Sequence, residues 1–566
     1  MDMALMARIG ALREAALAAE KAGRAGEAVA RFDEALALAP HDSRLLNSAG
    51  GSALRLGDLA RAERLYEKAH RLAPKVSEYA INLAVALDHR ERPGAALAVL
   101  RPLEALAGGE PRYWSARASC ERAAGDLAAA GASYERGLAL DPRHARSLQG
   151  RARVALERGE RDAPARYARA LEVTPGDAPL WLGRAIALEA AGEIAEARQI
   201  GEQLSAQIPG WLDAHRFLAE LRLNTEVADA GAGTFADHFA AACTKLPDNA
   251  ELVLAWSSAL AGADRFAEAL KVAEAGMARL PDNPAVALAA ATYASAEGQL
   301  DLADRHFARL SETGVERSIE EARHRLRRGD PQGAEALAAR ALAAEPRHVL
   351  GWGLRSIAWR MLGDEREHWL HGQEGLVRQL PLEMADRDWQ AGIAFLHSLH
   401  NESFVPVGQS VRGGSQTRGS LFNRGEPELA ELAKAIRAVV ERYRRELPPR
   451  DVHHPLLSRR DEALTITGSW SVRLGPGGNH TVHIHPKGLL SSALYLDLPD
   501  LAGDAPNAGA LEIGGAPRGI ELPPRRVVPA RERHLTLFPS TLFHGTRPFA
   551  QGRRLTVAFD VSVRGD

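Results

Sequence analysis

Cysteine is nearly absent: Cys120 and Cys243 are the two in 566 residues. Lying so far apart, they exclude a disulfide framework and any CxxC-type zinc or redox motif. A charge of one sign is also lacking. Lys plus Arg number 71 against 73 Asp plus Glu, a net charge of -2, so a polyanion such as nucleic acid is offered no bulk attraction and is not expected as a partner. Seven of the 71 basic residues are lysine, and alanine is very abundant, a bias that points to a GC-rich bacterial genome rather than to function. No uncharged apolar run reaches the ~18 residues needed to span a bilayer. The first segment is broken by Arg8, Arg13 and Glu14 and lacks the apolar core of a signal peptide. The expectation is a cytoplasmic protein without a membrane partner. P-loop, HExxH, GxSxG and GxGxxG motifs are missing, which removes the enzyme classes they mark.

What is present is a rhythm. Prolines closing apolar stretches fall at Pro40, Pro74, Pro142, Pro175, Pro209, Pro247, Pro281 and Pro346, mostly one or two steps of 34 apart. Gly23, Gly57, Gly125 and Gly159 keep the same step, with Glu91 at the missing position, and Gly329 and Gly363 resume it. A glycine ending one helix and a proline ending the next describe a helix-turn-helix unit. Segments 22–40 and 56–74 can be superposed, with small residues (Ala28, Ala62) five places after the glycine and Ala35 and Ala69 near the end of the second helix. These units resemble the tetratricopeptide repeat, over about residues 5 to 380 and roughly eleven units. The resemblance implies an all-α superhelix with a concave groove, either a plain scaffold or a dock for a protein or peptide.

Near residue 380 the texture changes to a period of two, giving two domains, 1–380 and 381–566. Segments 463–474, 489–499, 534–538 and 553–563 read as strands, with Gly- and Pro-rich loops at 475–479 and 514–519. Helices are expected at 384–400 and 428–447. Short strands with long connections favour a jelly roll.

In this second domain His483 and His485 are two residues apart and face one way on an extended segment. With 20 histidines in the chain, about one such pair arises by chance, so the pair alone decides nothing. The segment 535–561 adds His544 at the end of one strand and Arg554 on the next. Together they fit an open-sided metal site, with imidazoles suited to iron and a guanidinium suited to a carboxylate.

On the stretches 409–422, 469–470, 482–499 and 537–560, the domain resembles the iron(II)- and 2-oxoglutarate-dependent oxygenases. The resemblance implies a double-stranded β-helix carrying Fe(II), with 2-oxoglutarate as co-substrate and dioxygen as oxidant, usually for hydroxylation of an unactivated C–H bond. Carried over, His483 and His544 are iron ligands and Arg554 grips the far carboxylate of 2-oxoglutarate, with Thr556 adding a hydroxyl. Tyr495 is either a co-substrate contact or a core aromatic. Position 485 usually holds Asp or Glu in this family, and here it is His485. It is read as the third ligand, giving a metal set of His483, His485 and His544. The alternatives are a position outside the ligand sphere, a carboxylate arriving from Asp497 or Glu512, or an inactive site.

The remaining residues are read more plainly. His480 is placed at an entrance or loop, Gly413 and Gly414 in a turn beside Arg412 and Gln416, and Trp470 in the core. Arg525, Arg526, Arg531 and Arg533 are read as a solvated run. The whole-chain expectation is a dioxygenase that hydroxylates a side chain of a protein or peptide docked by the repeats. Two rivals remain: an adaptor with a degenerate oxygenase domain, supported by His485 and by Ser492 where relatives tend to have Gly, and a three-histidine cupin-type dioxygenase that uses no 2-oxoglutarate.

Overall fold

Each proline of the 34-residue series stands directly after the residue that caps a helix C-terminus, as Pro40 follows Ala39 and Pro142 follows Asp141. The proline ring bars the preceding residue from the α region, and Ala39 sits at φ -139°, ψ 68°. The glycines of the comb all take positive φ, between 62° and 82°. Glu91, at the missing position, takes φ 58°, so the turn is kept where its preferred residue is absent.

The computed structural model describes residues 3–225, 235–311, 313–401, 408–501 and 503–563. Among these, ten helix pairs and one short extra helix, Glu104–Ala107, run from Met3 to Ala344 and are followed by a single helix, Val349–Leu362. The chain divides into two compact units, residues 1–187 and 188–566. In the first, Ala28, Ala35, Ala62 and Ala69 are fully buried, as close helix approach requires. Gly150 and Gly183 repeat that logic: a Cβ on them would lie 2.1 Å from the Tyr134 ring and 2.3 Å from the Tyr167 ring.

The second unit holds the later repeats together with nine strands: β1 (Arg378–Pro381), β2 (Val411–Gln416), β3 (Leu464–His480), β4 (Leu490–Asp497), β5 (Leu511–Ile513), β6 (Arg526–Val528), β7 (His534–Pro539), β8 (His544–Thr546) and β9 (Arg554–Val563). They form two antiparallel sheets, ordered β1-β7-β4-β9-β3-β2 and β6-β5-β8, consistent with a jelly roll. Helices Asp386–Leu399 and Pro427–Arg445 lie where the sequence places them. Their apolar faces, including Trp389, Leu396, Ile436 and Tyr443, share one core with Leu555, Val557, Phe559 and Val561 of β9. Strand alternation then turns Arg554, Thr556, Ala558 and Asp560 to the opposite face.

Two local expectations are corrected. Segment 475–479 is part of the long strand β3 rather than a loop, and Gly413 and Gly414 lie within β2 rather than a turn. The glycines are explained by a register shift between Arg412 and Gly414, where Gly413 takes φ 67°. A bulge and a turn use the same residue for the same dihedral reason.

The last repeats pack onto the β region through a shared core. Val482, Ile484 and Phe543 pack with Ile319, Leu326, Leu354 and Ile357 from the helices Val315–Arg327 and Val349–Leu362. His371 joins the same parts, with Nδ1 3.0 Å from Ser356 Oγ and Nε2 2.8 Å from Thr541 Oγ1.

Candidate metal and co-substrate site

His483 and His544 face each other across an antiparallel bridge: each backbone N–H donates to the other's carbonyl, at 2.9 and 2.8 Å. Such a pair shares a face, and the rings stand 4.2 Å apart between centroids. His485, two residues along, returns to that face at 5.1 Å from His483 and 5.0 Å from His544. The alternate residues Val482 and Ile484 point to the repeat helices. One extended segment thus anchors a core on one side and presents imidazoles on the other.

Each of the three rings has its Nδ1 against an oxygen. His483 Nδ1 is 2.9 Å from the Thr481 carbonyl, His544 Nδ1 is 3.1 Å from the Leu542 carbonyl, and His485 Nδ1 meets the Asp560 carboxylate. Carbonyl and carboxylate oxygens only accept, so each Nδ1 carries a proton, and in the neutral ring it is Nε2 that presents the lone pair. The potential ligand atoms of the three lie within 4.8 Å of one another, and the Nε2 atoms of His483 and His485 are 3.1 Å apart. Two lone pairs at that separation repel unless a cation lies between them. Two nitrogens each about 2.1 Å from one ion, at right angles, would be about 3 Å apart, so the residues fit a divalent metal. Burial, with the neighbouring His485, pushes His483 down to about 3, and burial and the other histidines hold His544 far below the usual range. Both are therefore neutral, as a ligand must be.

Arg554 is buried at 1% exposure. It donates to the Gly509 carbonyl at 2.7 Å and to Thr546 Oγ1 at 3.0 Å, while its Nε finds no partner. Burial lowers its pKa, and among the described residues no carboxylate forms an ion pair with it. A buried guanidinium so placed is costly unless an anion joins it. Arg554, Thr556, Tyr495 and the three histidines line one narrow cavity. Tyr495 is buried beneath the guanidinium, 5.7 Å from it, with its hydroxyl 3.4 Å from the Gly509 carbonyl.

Other residues are placed differently from their sequence reading. His480 ends β3 and lines this cavity, with Nδ1 3.0 Å from Ser410 Oγ. Trp470 is half-buried and packs against the Val411, Val472 and Leu474 core, as read, but it also tilts over His485 at 5.4 Å. Gln416 also lines the cavity, whereas Arg412 pairs with Asp264. Asp497 is taken by His397 at 3.0 Å and Glu512 by Arg547 at 2.7 Å, so neither meets the triad. The carboxylate that does is Asp560, which sequence reading passed over. Its signal was its place in the Arg554, Thr556, Ala558 series, the only acid on that face of β9. Three of the four arginines of the basic run are pinned, Arg525 by Glu367, Arg526 by the Val377 carbonyl and Arg533 by Asp386 over the Trp389 ring, while Arg531 is exposed as the sequence reading has it. Ser492 has a structural task, accepting from the Phe559 N–H and donating to the Phe559 carbonyl, both at 2.8 Å.

Residues 468–560 match the family model described as "Putative 2OG-Fe(II) oxygenase". Tetratricopeptide repeat models match 13–77, 53–120 and 319–365. Protein FlbA of Caulobacter vibrioides is 28% identical over 209 residues, 36% of this chain and 34% of that protein, so the match spans about a third of that relative's length. Among solved structures, PilF of Pseudomonas aeruginosa is 18% identical over 38% of this chain and 99% of its own, with a TM-score of 0.34. Yeast Tom70 is 13% identical over 64% and 96%, with a TM-score of 0.32. Among the described residues no helix is long and apolar enough to cross a membrane. The chain carries tetratricopeptide repeats in its N-terminal region and, at 468–560, a domain of the 2OG-Fe(II) oxygenase type.

Proposed function

We propose that this protein is an Fe(II)- and 2-oxoglutarate-dependent dioxygenase that hydroxylates a side chain of a protein or peptide docked by its repeats. The observation that carries the reading is the convergence of three imidazoles in one cavity with a buried guanidinium that, among the described residues, has no carboxylate of its own. Iron with 2-oxoglutarate would supply the oxidising power for attack on an unactivated C–H bond.

The chain's own residues have simpler work. His483, His485 and His544 would hold the metal, each ring fixed by the acceptor on its Nδ1. Arg554 would orient the co-substrate through its far carboxylate, with Thr556 and Tyr495 beside it. The apolar lining, Val472, Leu511 and Ala558 among it, excludes water from the pair. Asp560 bears on the absence of a carboxylate at position 485. Three neutral imidazoles would leave a divalent ion undercompensated, and a carboxylate bonded to His485 places negative charge one ring away.

This arrangement also weighs against the rivals. The adaptor reading leaned on His485 and Ser492, and each has a specific bonded role. The cupin-type reading gives the buried Arg554 no anion to bind. Anaerobic titration of the purified protein with ferrous iron and then 2-oxoglutarate is the test. A visible charge-transfer band that needs both additions is expected, and its absence with bound iron sinks the reading.

A further inference from the structure

Gln409, Ser410 and His483 line both the narrow cavity and a wider cleft of about 1340 Å³. One wall of the cleft comes from the helices Leu212–Thr225, Ala250–Gly262, Pro284–Ala296 and Val315–Arg327, and the other from segments around Arg412, Ile484 and Arg518. Its size exceeds the roughly 300–1,000 Å³ of small-molecule sites, which suits a length of polypeptide.

The charges in this cleft are unequal. Its acids Glu220 and Asp264 are neutralised by Arg418 and Arg412, and the other lining acid, Glu251, is exposed to water. Arg323 is answered by Glu320 at 3.1 Å. Arg327 and Arg518 have no such answer among the described residues. Arg327 donates only to neutral oxygens, Ser295 Oγ at 2.9 Å and the Arg518 carbonyl at 3.2 Å. The Arg518 guanidinium lies over the Phe266 ring at 5.5 Å. Burial, then Arg323, and Arg518 as well, bring the Arg327 guanidinium down to about 10 against the pull of Glu320, the mark of a cation that its surroundings compensate only in part.

Resting on the oxygenase reading, we infer that the substrate is an acidic peptide, one of whose Asp or Glu side chains is gripped by Arg327 and Arg518 while a neighbouring residue reaches His483. Two guanidiniums flanked by apolar side chains such as Leu254, Tyr293 and Phe543 favour a carboxylate on an otherwise apolar segment. They disfavour a basic one by leaving two cations against it.

The test uses the full chain under anaerobic conditions with iron and 2-oxoglutarate, and fluorescein-labelled nonapeptide pools with Glu, Gln or Lys fixed at the centre. Fluorescence anisotropy should show the Glu pool binding about tenfold or more tighter than the Gln pool, and the Lys pool weakest. Arg327→Gln should erase the Glu preference while leaving the 2-oxoglutarate absorption band in place. Arg518→Gln, at an exposed position, should weaken it as well. Equal binding of the Glu and Gln pools, or a preference that survives both substitutions, overturns the inference. Loss of the band with the preference intact would instead count against the oxygenase reading alone.

Discussion

Asp560 bonds the Nδ1 of His485 from the neighbouring strand β9, and this contact fixes which nitrogen of that ring is bare. Removing the carboxylate frees the ring to rotate and to exchange tautomers, without touching a metal ligand. Asp560→Ala should therefore weaken Fe(II) binding by about 10- to 100-fold, read by anaerobic titration, and leave the melting temperature of the metal-free protein nearly unchanged. Asp560→Asn, which keeps an acceptor but loses the charge, should fall between. Unaltered iron affinity in both would remove Asp560 from the site.

Arg554 offers a cleaner separation of iron from co-substrate. Its guanidinium is buried and orients on neutral oxygens, so its charge awaits an anion. Arg554→Lys loses the forked geometry, and Arg554→Ala loses the charge as well. Loss of a buried charge-assisted contact is worth about 2–4 kcal/mol, so the apparent KM for 2-oxoglutarate should rise some 30- to 1,000-fold with iron binding retained. Succinate formation at graded 2-oxoglutarate checks it, and an unchanged KM in the alanine variant would favour a co-substrate-free reaction.

How much of this was legible in the sequence follows from which features are local. A proline dictates its predecessor's backbone, so the helix ends at Ala39 or Leu280 could be read directly. Alternation on 554–563 likewise marked β9 and put Arg554 and Thr556 on one face. The strand pairing was not local. Gly413 and Gly414 were misread because a bulge and a turn call for the same residue, and β5, β6 and β8, three residues each, are too short to show a period. Asp560 was hidden because its partner is 75 positions away. Equally hidden was the core that Ile484 and Phe543 share with the last repeat helices, since each of its parts reads as an ordinary apolar face.

That shared core makes Gly353 a remote control on the site. A Cβ there would lie 2.8 Å from Ile484 Cδ1, 3.1 Å from the Phe543 ring and 3.1 Å from the Thr541 carbonyl. Ile484 can rotate away, but a backbone oxygen cannot. Gly353→Ala gains up to about 1 kcal/mol in helix propensity and loses about 1–3 kcal/mol to overpacking. Net stability should thus fall by no more than about 3 kcal/mol. The larger effect should be on iron affinity, because Ile484 and Phe543 adjoin His483 and His544. A variant with wild-type iron binding would show that the repeats do not buttress the ligands.

Arg418 ties the repeats to the β region through charge. It pairs with the buried Glu189 at 2.7 Å and with Glu220 at 3.2 Å, and burial raises the pKa of both acids against its pull. Arg418→Gln leaves two carboxylates facing each other, Glu189 buried and Glu220 half-buried, one of which will take up a proton and limit the penalty. A loss of about 2–4 kcal/mol is expected, seen in chemical unfolding. Adding Glu189→Gln to that variant should restore part of it, and failure of the second change to help would mean the charges are not what Arg418 supplies.

His454 is one of the buried histidines that make this fold sensitive to acid. Its Nδ1 accepts the backbone N–H groups of Leu456 and Leu457, both at 3.1 Å, and its Nε2 donates to the Leu370 carbonyl at 2.9 Å. Protonating Nδ1 forfeits two bonds. Burial holds the pKa down to about 4; the Leu370 bond and Asp451 pull it up, and His371 pushes it further down. Trp369, whose indole N–H donates to Asp451 at 2.7 Å, stands edge-on to the ring and carries no charge. The unfolded chain takes up this proton near pH 6.5, and the folded one only near 4. The stability that this neutral ring contributes is therefore full above 6.5 and declines as the pH falls, by about 1.4 kcal/mol per unit, until that contribution levels near 4. His454→Gln should be less stable than the parent at pH 7, and the gap should narrow steadily toward pH 4 in urea unfolding followed at each pH. A gap that stays constant across that range would mean the ring takes up its proton at the same pH in the folded and the unfolded protein.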